Sequence, residues 1–200
     1  MGAWDFVIGI LIGVVLACVS LVVQTSRKSA ISATYSGVVA RSTVRRHPVQ
    51  QRFLSQVGRQ SQVVKLEGYM FFGTISSVER SVRAMLDENN FQEQPIRFLI
   101  IDLLHVSGID FSAAEAFTRM RRLLSVRGVE MILSGVTRDG DIGKALQAVG
   151  VWAADETVLV FNDLNGALES CENVFLTALY NHHRVQKQKQ PYLGISNILT

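Results

Sequence analysis

The 200 residues carry a formal net charge of +3, unevenly spread: eight bases and one acid in the first 66, twelve bases and sixteen acids in the remaining 134. The basic part lies beside an apolar run and is not interleaved with aromatics on a folded module, which argues against a nucleic-acid partner. Two cysteines, Cys18 and Cys171, build no disulfide framework and fit a reducing compartment, with Cys171 a small buried apolar side chain.

The first element is the run Phe6–Val23, FVIGILIGVVLACVSLVV, eighteen residues without a charge. As a helix it would be roughly 27 Å long, close to the ~30 Å of a hydrocarbon core. Asp5 makes the preceding segment acidic and no small-x-small cleavage site comes after the run, so a retained transmembrane helix over residues 1–23 is expected, not a signal peptide. Gly9, Gly13 and Ala17 repeat every four residues and predict a face that packs against other transmembrane helices. From Gln24 to Leu66 every charge is basic, which places the chain beyond Val23 on the cytoplasmic side, with its bases near anionic lipid.

Residues 24–61 read as a basic juxtamembrane linker. Within it, Thr25–Val39 is expected to be partly extended or loosely helical, broken at Gly37. His47–Pro48 favours a turn, because proline disfavours the α conformation in the residue before it, and Val49–Val57 fits a short helix.

A single domain is expected over 62–180. Val63–Phe72, interrupted at Gly68, predicts two short strands joined by a tight turn. Ile75–Asn90 has helical spacing, with Ser76 and Glu79 in capping-box relation. Ile96–Leu104 is a nearly unbroken apolar strand of the kind covered on both faces. The next helix runs from Ser112, boxed with Glu115, to Val126 and stops at Gly128. Then come a strand over Val129–Val136, a helix from Asp139 to Val149 ending at Gly150, and a short strand over Val158–Phe161. A last helix, capped by Asn162 or Asp163, reaches Tyr180. This alternation implies an α/β fold: a mixed, mainly parallel sheet covered by about four helices.

Residues 181–200 read as a polar tail. His182 and His183 are adjacent, point about 100° apart on a helix, and make no natural chelating pair. No nucleophile has an evident base, no glycine-rich loop has phosphate-loop spacing and no cluster has metal-ligand spacing. The sequence therefore predicts no enzyme activity, no cofactor and no metal. The segment from His105 to Phe111 comes after the central strand at its carboxyl end, where α/β sheets bind ligands. It is the candidate recognition loop for a partner or an anion, through His105, Ser107, Asp110 and Ser112, with the free N–H groups of the next helix.

At Ile101–Phe117, IDLLHVSGIDFSAAEAF, the chain resembles the STAS domain, the module shared by bacterial anti-sigma-factor antagonists and the tails of SulP-type anion transporters. The strand–helix order from Val63 to Leu179 is similar throughout, as are Leu133-Ser134-Gly135-Val136 and Ala148-Val149-Gly150-Val151. The opening run and basic linker resemble the last transmembrane helix of a SulP permease leading into its tail, in wording close to a fungal, partly vacuolar branch. In the antagonists a phosphorylated serine directly follows the second aspartate; here Phe111 stands there, so that switch does not carry over. Ser112 remains as a candidate phosphorylation site, although capping alone explains it.

The resemblance implies a non-catalytic regulatory or interaction domain on a secondary transporter of sulfate-type anions, in the plasma membrane or a fungal vacuolar membrane. It further implies a homodimer and cytosolic regulatory partners. The alternative is a free-standing, single-span scaffold that docks cytosolic proteins.

Overall fold

The apolar run FLIIDLL becomes the middle of a five-stranded sheet. In the computed structural model, which describes residues 2–26, 30–152 and 158–188, the strands are β1 (Ile31–Ser36), β2 (Ser61–Met70), β3 (Phe98–Ile109), β4 (Glu130–Ser134) and β5 (Leu159–Phe161). Their spatial order repeats their chain order. β1 is antiparallel to β2, and the other three pairings are parallel. The helices are α1 (Gly2–Ser26), α2 (Pro48–Val57), α3 (Phe72–Met85), α4 (Glu88–Glu93), α5 (Phe111–Val126), α6 (Asp141–Ala148) and α7 (Leu164–Gln188).

Strand periodicity explains the layers. Successive side chains point to opposite faces, so Leu99, Ile101 and Leu103 of β3 join α3, α5 and α6 in one core. Phe98 and Ile100 face α7 and Leu54 of α2 in the other. Crossovers of one hand, all stepping the same way along the sheet, put α3, α5 and α6 on the same face. The opposite face is left to α7, whose Ala167, Leu168, Cys171, Phe175 and Leu176 cover it, with Phe175 edge-on to Phe98 at 5.2 Å.

Several expectations need correcting. Val63–Met70 belongs to one strand and not two, and Phe72 already opens α3; Gly68 takes φ +81° and the pairing with β3 shifts on either side of it. A glycine that reads as a turn can equally be absorbed as a bulge within a strand. The outer partner of β2 is β1, drawn from the expected linker, and Ala30 is already part of the core. α3 begins at Phe72, where the Thr74 hydroxyl accepts from the Phe71 N–H at 2.9 Å; Ser76 is inside the helix, donating to the Phe72 carbonyl. Hence Ser76 and Glu79 form no capping box. α6 starts at Asp141 with Gly140, not Asp139, at its N-cap. α7 runs past Tyr180 to Gln188, so the first part of the expected tail is helical; residues 189–200 lie outside the described ones.

In α1 the side chains described are those of residues 6–21 and 23, and all of them are exposed. A Cβ on Gly9 or Gly13 would meet nothing within 4 Å. Among the described residues no helix is long and apolar enough to cross a membrane, so the expected span is not shown by the fold itself.

Candidate functional site

Three cross-strand neighbours mark the place where β4 ends. Lys65, Asp102 and Ser134 are register partners on β2, β3 and β4. Asp102 is 2% exposed; its Oδ1 accepts from the Ser134 hydroxyl at 3.2 Å and from the Leu104 N–H at 3.3 Å, and Lys65 Nζ lies 3.9 Å from Oδ2. A buried carboxylate is tolerated only when its lone pairs are met. The aspartate that ends the apolar stretch is therefore a tie between three strands. Gly135 then turns the chain at φ +72°, where any Cβ would collide with the Leu104 backbone.

Beyond that tie, β2 and β3 continue as a two-stranded extension, pairing Glu67 with His105, Gly68 with Val106, Tyr69 with Gly108 and Met70 with Ile109. The expected recognition loop is thus largely strand, a correction that local sequence did not signal, because β2 supplies the hydrogen bonds. His105 and Ser107 are exposed on this extension, while Val106 between them is buried. Tyr69 lays its ring over Gly108, where an added Cβ would come within 2.7 Å of it.

Asp110 ends the extension. Its N–H donates to the Met70 carbonyl at 2.9 Å and its carboxylate accepts from the Ala113 N–H at 2.7 Å. Asp110, not Ser112, is the N-cap of α5, and no Ser112–Glu115 capping box forms. The N-cap must be extended, as Asp110 is with φ −85° and ψ 169°, and aspartate caps as well as serine. Ser112 stands exposed in the first turn beside Phe111, which is 66% exposed. Among the described residues, no hydrogen bond joins His105, Ser107 or Ser112 to one another. The structure brings the four candidates to one end of the sheet.

Two features escaped the sequence reading. One is that Tyr69, Phe72, Leu104 and Phe111, all at this end of the sheet, are exposed. The other is a polar seam. Glu172 of α7 accepts from the Ser42 N–H (2.9 Å), the Ser42 hydroxyl (2.6 Å) and Arg46 Nε (2.9 Å). Asn165 accepts from the Thr43 N–H at 2.7 Å, and Gln50 donates to the Tyr180 hydroxyl at 2.7 Å. These partners lie 122 to 130 residues apart, so no local pattern could announce them.

Elsewhere the titratable groups have structural roles. Burial, with a smaller contribution from Glu130, pushes the Cys171 thiol up to about 12, which keeps it protonated and inert. A hydrogen bond from Arg83, with Arg119 nearby, holds Glu79 below the usual carboxylate range against the opposing effect of burial. A cleft of about 420 Å³ between α5 and the end of α6 is lined by Phe111, Glu115, Arg119 and Arg122 among others. A larger one of about 640 Å³ runs along the outer face of α7 from Gly166 to Asn181, away from the β2–β3 extension.

Residues 55–151 match the family model described as the STAS domain. The chain is 40% identical over 180 residues to the vacuolar basic amino acid transporter VSB1 of Saccharomyces cerevisiae, a match covering 88% of this chain and 17% of that protein. The chain therefore spans about a sixth of that relative's length. Among solved structures, SLC26A9 superposes with a TM-score of 0.51 at 16% identity, covering 90% of this chain and 28% of that one. A sulfate transporter family protein from Wolinella succinogenes gives a TM-score of 0.46 at 23% identity, covering 59% of this chain and 88% of that one. At 16% identity the SLC26A9 match speaks to fold alone.

Proposed function

Because residues 55–151 are a STAS domain, we propose that this chain is the cytoplasmic STAS portion, with its preceding membrane helix, of a polytopic transporter. The observation that carries the reading is the 40% identity to a vacuolar transporter, which extends over 88% of the chain and so well beyond the STAS match. The exposed apolar side chains of α1 support it. Large apolar side chains from Phe6 to Val23 stand more than a third exposed, a surface that water does not tolerate and that lipid or neighbouring helices would cover. Gly9, Gly13 and Ala17 are the positions where another helix would approach. The bases next to the span, Arg27 and Lys28, would then lie on the cytoplasmic side, near anionic headgroups.

The domain acts by contact and not by chemistry. Its role is to bias the transporter between states or to assemble it, which requires contacts that differ between those states. Homodimerisation and cytosolic regulatory proteins belong to the same reading. For the solute, basic amino acids at the vacuolar membrane are preferred, in line with the named activity of the relative; sulfate-type anions rest on the family resemblance alone.

The test is the size of the native polypeptide, on an immunoblot of membranes probed with antibody to residues 62–180. A band far above 22.1 kDa is expected, with uptake assays of labelled arginine and sulfate in membrane vesicles as the next step. A band near 22 kDa would overturn the reading and leave the single-span scaffold.

A further inference from the structure

From Gln24 to Leu66 the chain has no acidic residue, so its bases depend on carboxylates from elsewhere. Arg46 pairs with Glu172 and Lys65 lies near Asp102. Arg41, Arg45, Arg52 and Arg59 are exposed and, among the described residues, pair with no carboxylate. Arg41 is nevertheless held in place. Its Nε donates to the Val38 carbonyl at 3.1 Å and its Nη2 to the Ser55 hydroxyl at 2.8 Å, across fourteen residues of chain. Ser55 is exposed in the last turn of α2 and donates to the Gln51 carbonyl at 2.8 Å. Arg52 precedes it by three residues, the spacing of neighbours on a helix, and Arg59 follows by four, in the 3₁₀ turn Gly58–Gln60. An exposed hydroxyl that already meets an unbalanced guanidinium is prepared to carry an anion on that oxygen.

The chain also carries the pattern by which an anion would be placed there. Ser55 and Ser125 are the two hydroxyl residues with an arginine three places before them, the charge pattern that arginine-directed serine kinases select. Their surroundings differ. Ser125 follows Leu124, which is fully buried in the core of α3, α5 and α6, so α5 cannot unwind there without breaking that core. α2 is ten residues long, too short to be stable by itself, and Leu54 is its one buried residue. Such a helix can open to the extended form that a kinase binds and close again while the sheet stays intact.

We propose that Ser55 is a phosphorylation site, at which the phosphoryl group pairs with Arg41 and, flanked by Arg52 and Arg59, locks residues 38–42 onto α2. The reactants are ATP and an arginine-directed serine kinase. The Ser55 oxygen forms a bond to the γ-phosphorus, the bond from that phosphorus to the β–γ bridging oxygen breaks, ADP leaves and the hydroxyl proton passes to the kinase's general base. The inference goes beyond the transporter reading and rests on it in one respect, that residues after α1 face the cytoplasm, where ATP and kinases are found. The three arginines favour the phosphate, while the carbonyl end of α2 and Glu172 beside Ser42 oppose it. The contact with Arg41 is direct and charge-assisted, so modification closes this segment and does not release it.

The experiment uses the full-length protein in sealed membrane vesicles with the cytoplasmic face outward, treated with ATP, magnesium and cyclic-AMP-dependent protein kinase as the arginine-directed probe. Tryptic peptides are then read by mass spectrometry. Phe53–Arg59 has Ser55 as its single hydroxyl and Leu123–Arg127 has Ser125. Phosphate is expected on the first and not on the second, and is lost in Ser55→Ala. The native protein, from cells harvested with phosphatase inhibitors, should carry the same mark. Limited trypsin digestion reads the lock: the phosphorylated protein should be cut after Arg45 and Arg46 several-fold more slowly than the unmodified one. Arg41→Gln should remove that protection while Ser55 remains a substrate. Phosphate on Leu123–Arg127 at an equal or higher level, a native Phe53–Arg59 without phosphate, or unchanged or faster cutting would each overturn the proposal. Detergent separates its failure from that of the transporter reading. Phosphate that appears only once detergent opens the vesicles overturns the cytoplasmic placement and the proposal together, whereas none even then removes the Ser55 site alone.

Discussion

The two layers that sandwich the sheet are held by different means. On the face of α3, α5 and α6, fully buried apolar side chains run from Val64 through Ile101 and Phe117 to Leu146, and each helix connects strands that are adjacent in space. On the face of α2 and α7 the apolar cluster is smaller, and its outer border is a polar seam between residues 42–50 and α7. Burial of apolar area is non-directional and hard to undo in parts. A seam of hydrogen bonds and one ion pair is directional and can be opened without dissolving the core. The first layer is thus the rigid body of the domain, and the second carries the segment that links β1 to β2.

That contrast can be broken at its strong side. Phe117→Ala empties a site at 0% exposure between α5 and the sheet, and should cost about 3–5 kcal/mol in urea denaturation. A loss below about 1 kcal/mol would mean that this layer is not the body of the domain. The seam should yield in a different way. Glu172→Ala leaves Arg46, only 11% exposed at its side chain, without its carboxylate, and should cost about 2 kcal/mol. Limited proteolysis should then cut within 41–50 while 61–150 stays resistant. If both regions become sensitive together, the seam is part of the rigid body after all.

Smaller effects sharpen the picture at the carboxyl end. Asp110→Ala removes the cap of α5 and should cost about 1 kcal/mol, whereas Ser112→Ala should stay within about 0.5 kcal/mol. Equal losses would return the capping role to Ser112. The smallest effect is a pH dependence on the strong side. Glu79 titrates below its usual value in the folded state, so its ion pairs stabilise above the unfolded carboxylate range, and that stability is lost as pH falls through the lowered value. Glu79→Gln should flatten that acid limb slightly, by no more than an exposed pair is worth. A steeper limb in the variant would show that other carboxylates dominate there.

Elements whose pattern is local were legible in advance. The doubly apolar β3, the helix ending at Gly128 and a cap of α7 at Asn162 or Asp163 derive from periodicity and capping chemistry; of the two, Asp163 accepts from the Gly166 N–H at 2.7 Å. The candidate residues near His105 and Asp110 were expected at the carboxyl end of the central strand, and they lie there. Their roles were not. Whether Asp110 or Ser112 caps α5 depends on which residue is extended, and that is set by the pairing of β3 with β2.

By itself, then, the sequence determined the alternation of strand and helix, the two-sided burial of the central strand and the asymmetry between an apolar–basic beginning and a mildly acidic domain. These are properties of nearest neighbours and short periods, and each residue expresses them wherever the chain goes. Tertiary structure alone decided that residues 31–36 close the sheet, that Lys65, Asp102 and Ser134 meet, that Glu172 gathers Ser42 and Arg46, and that Tyr69, Phe72, Leu104 and Phe111 share one end. Each of these joins groups far apart in the chain, and such contacts exist only once the sheet has fixed which distant segments lie side by side.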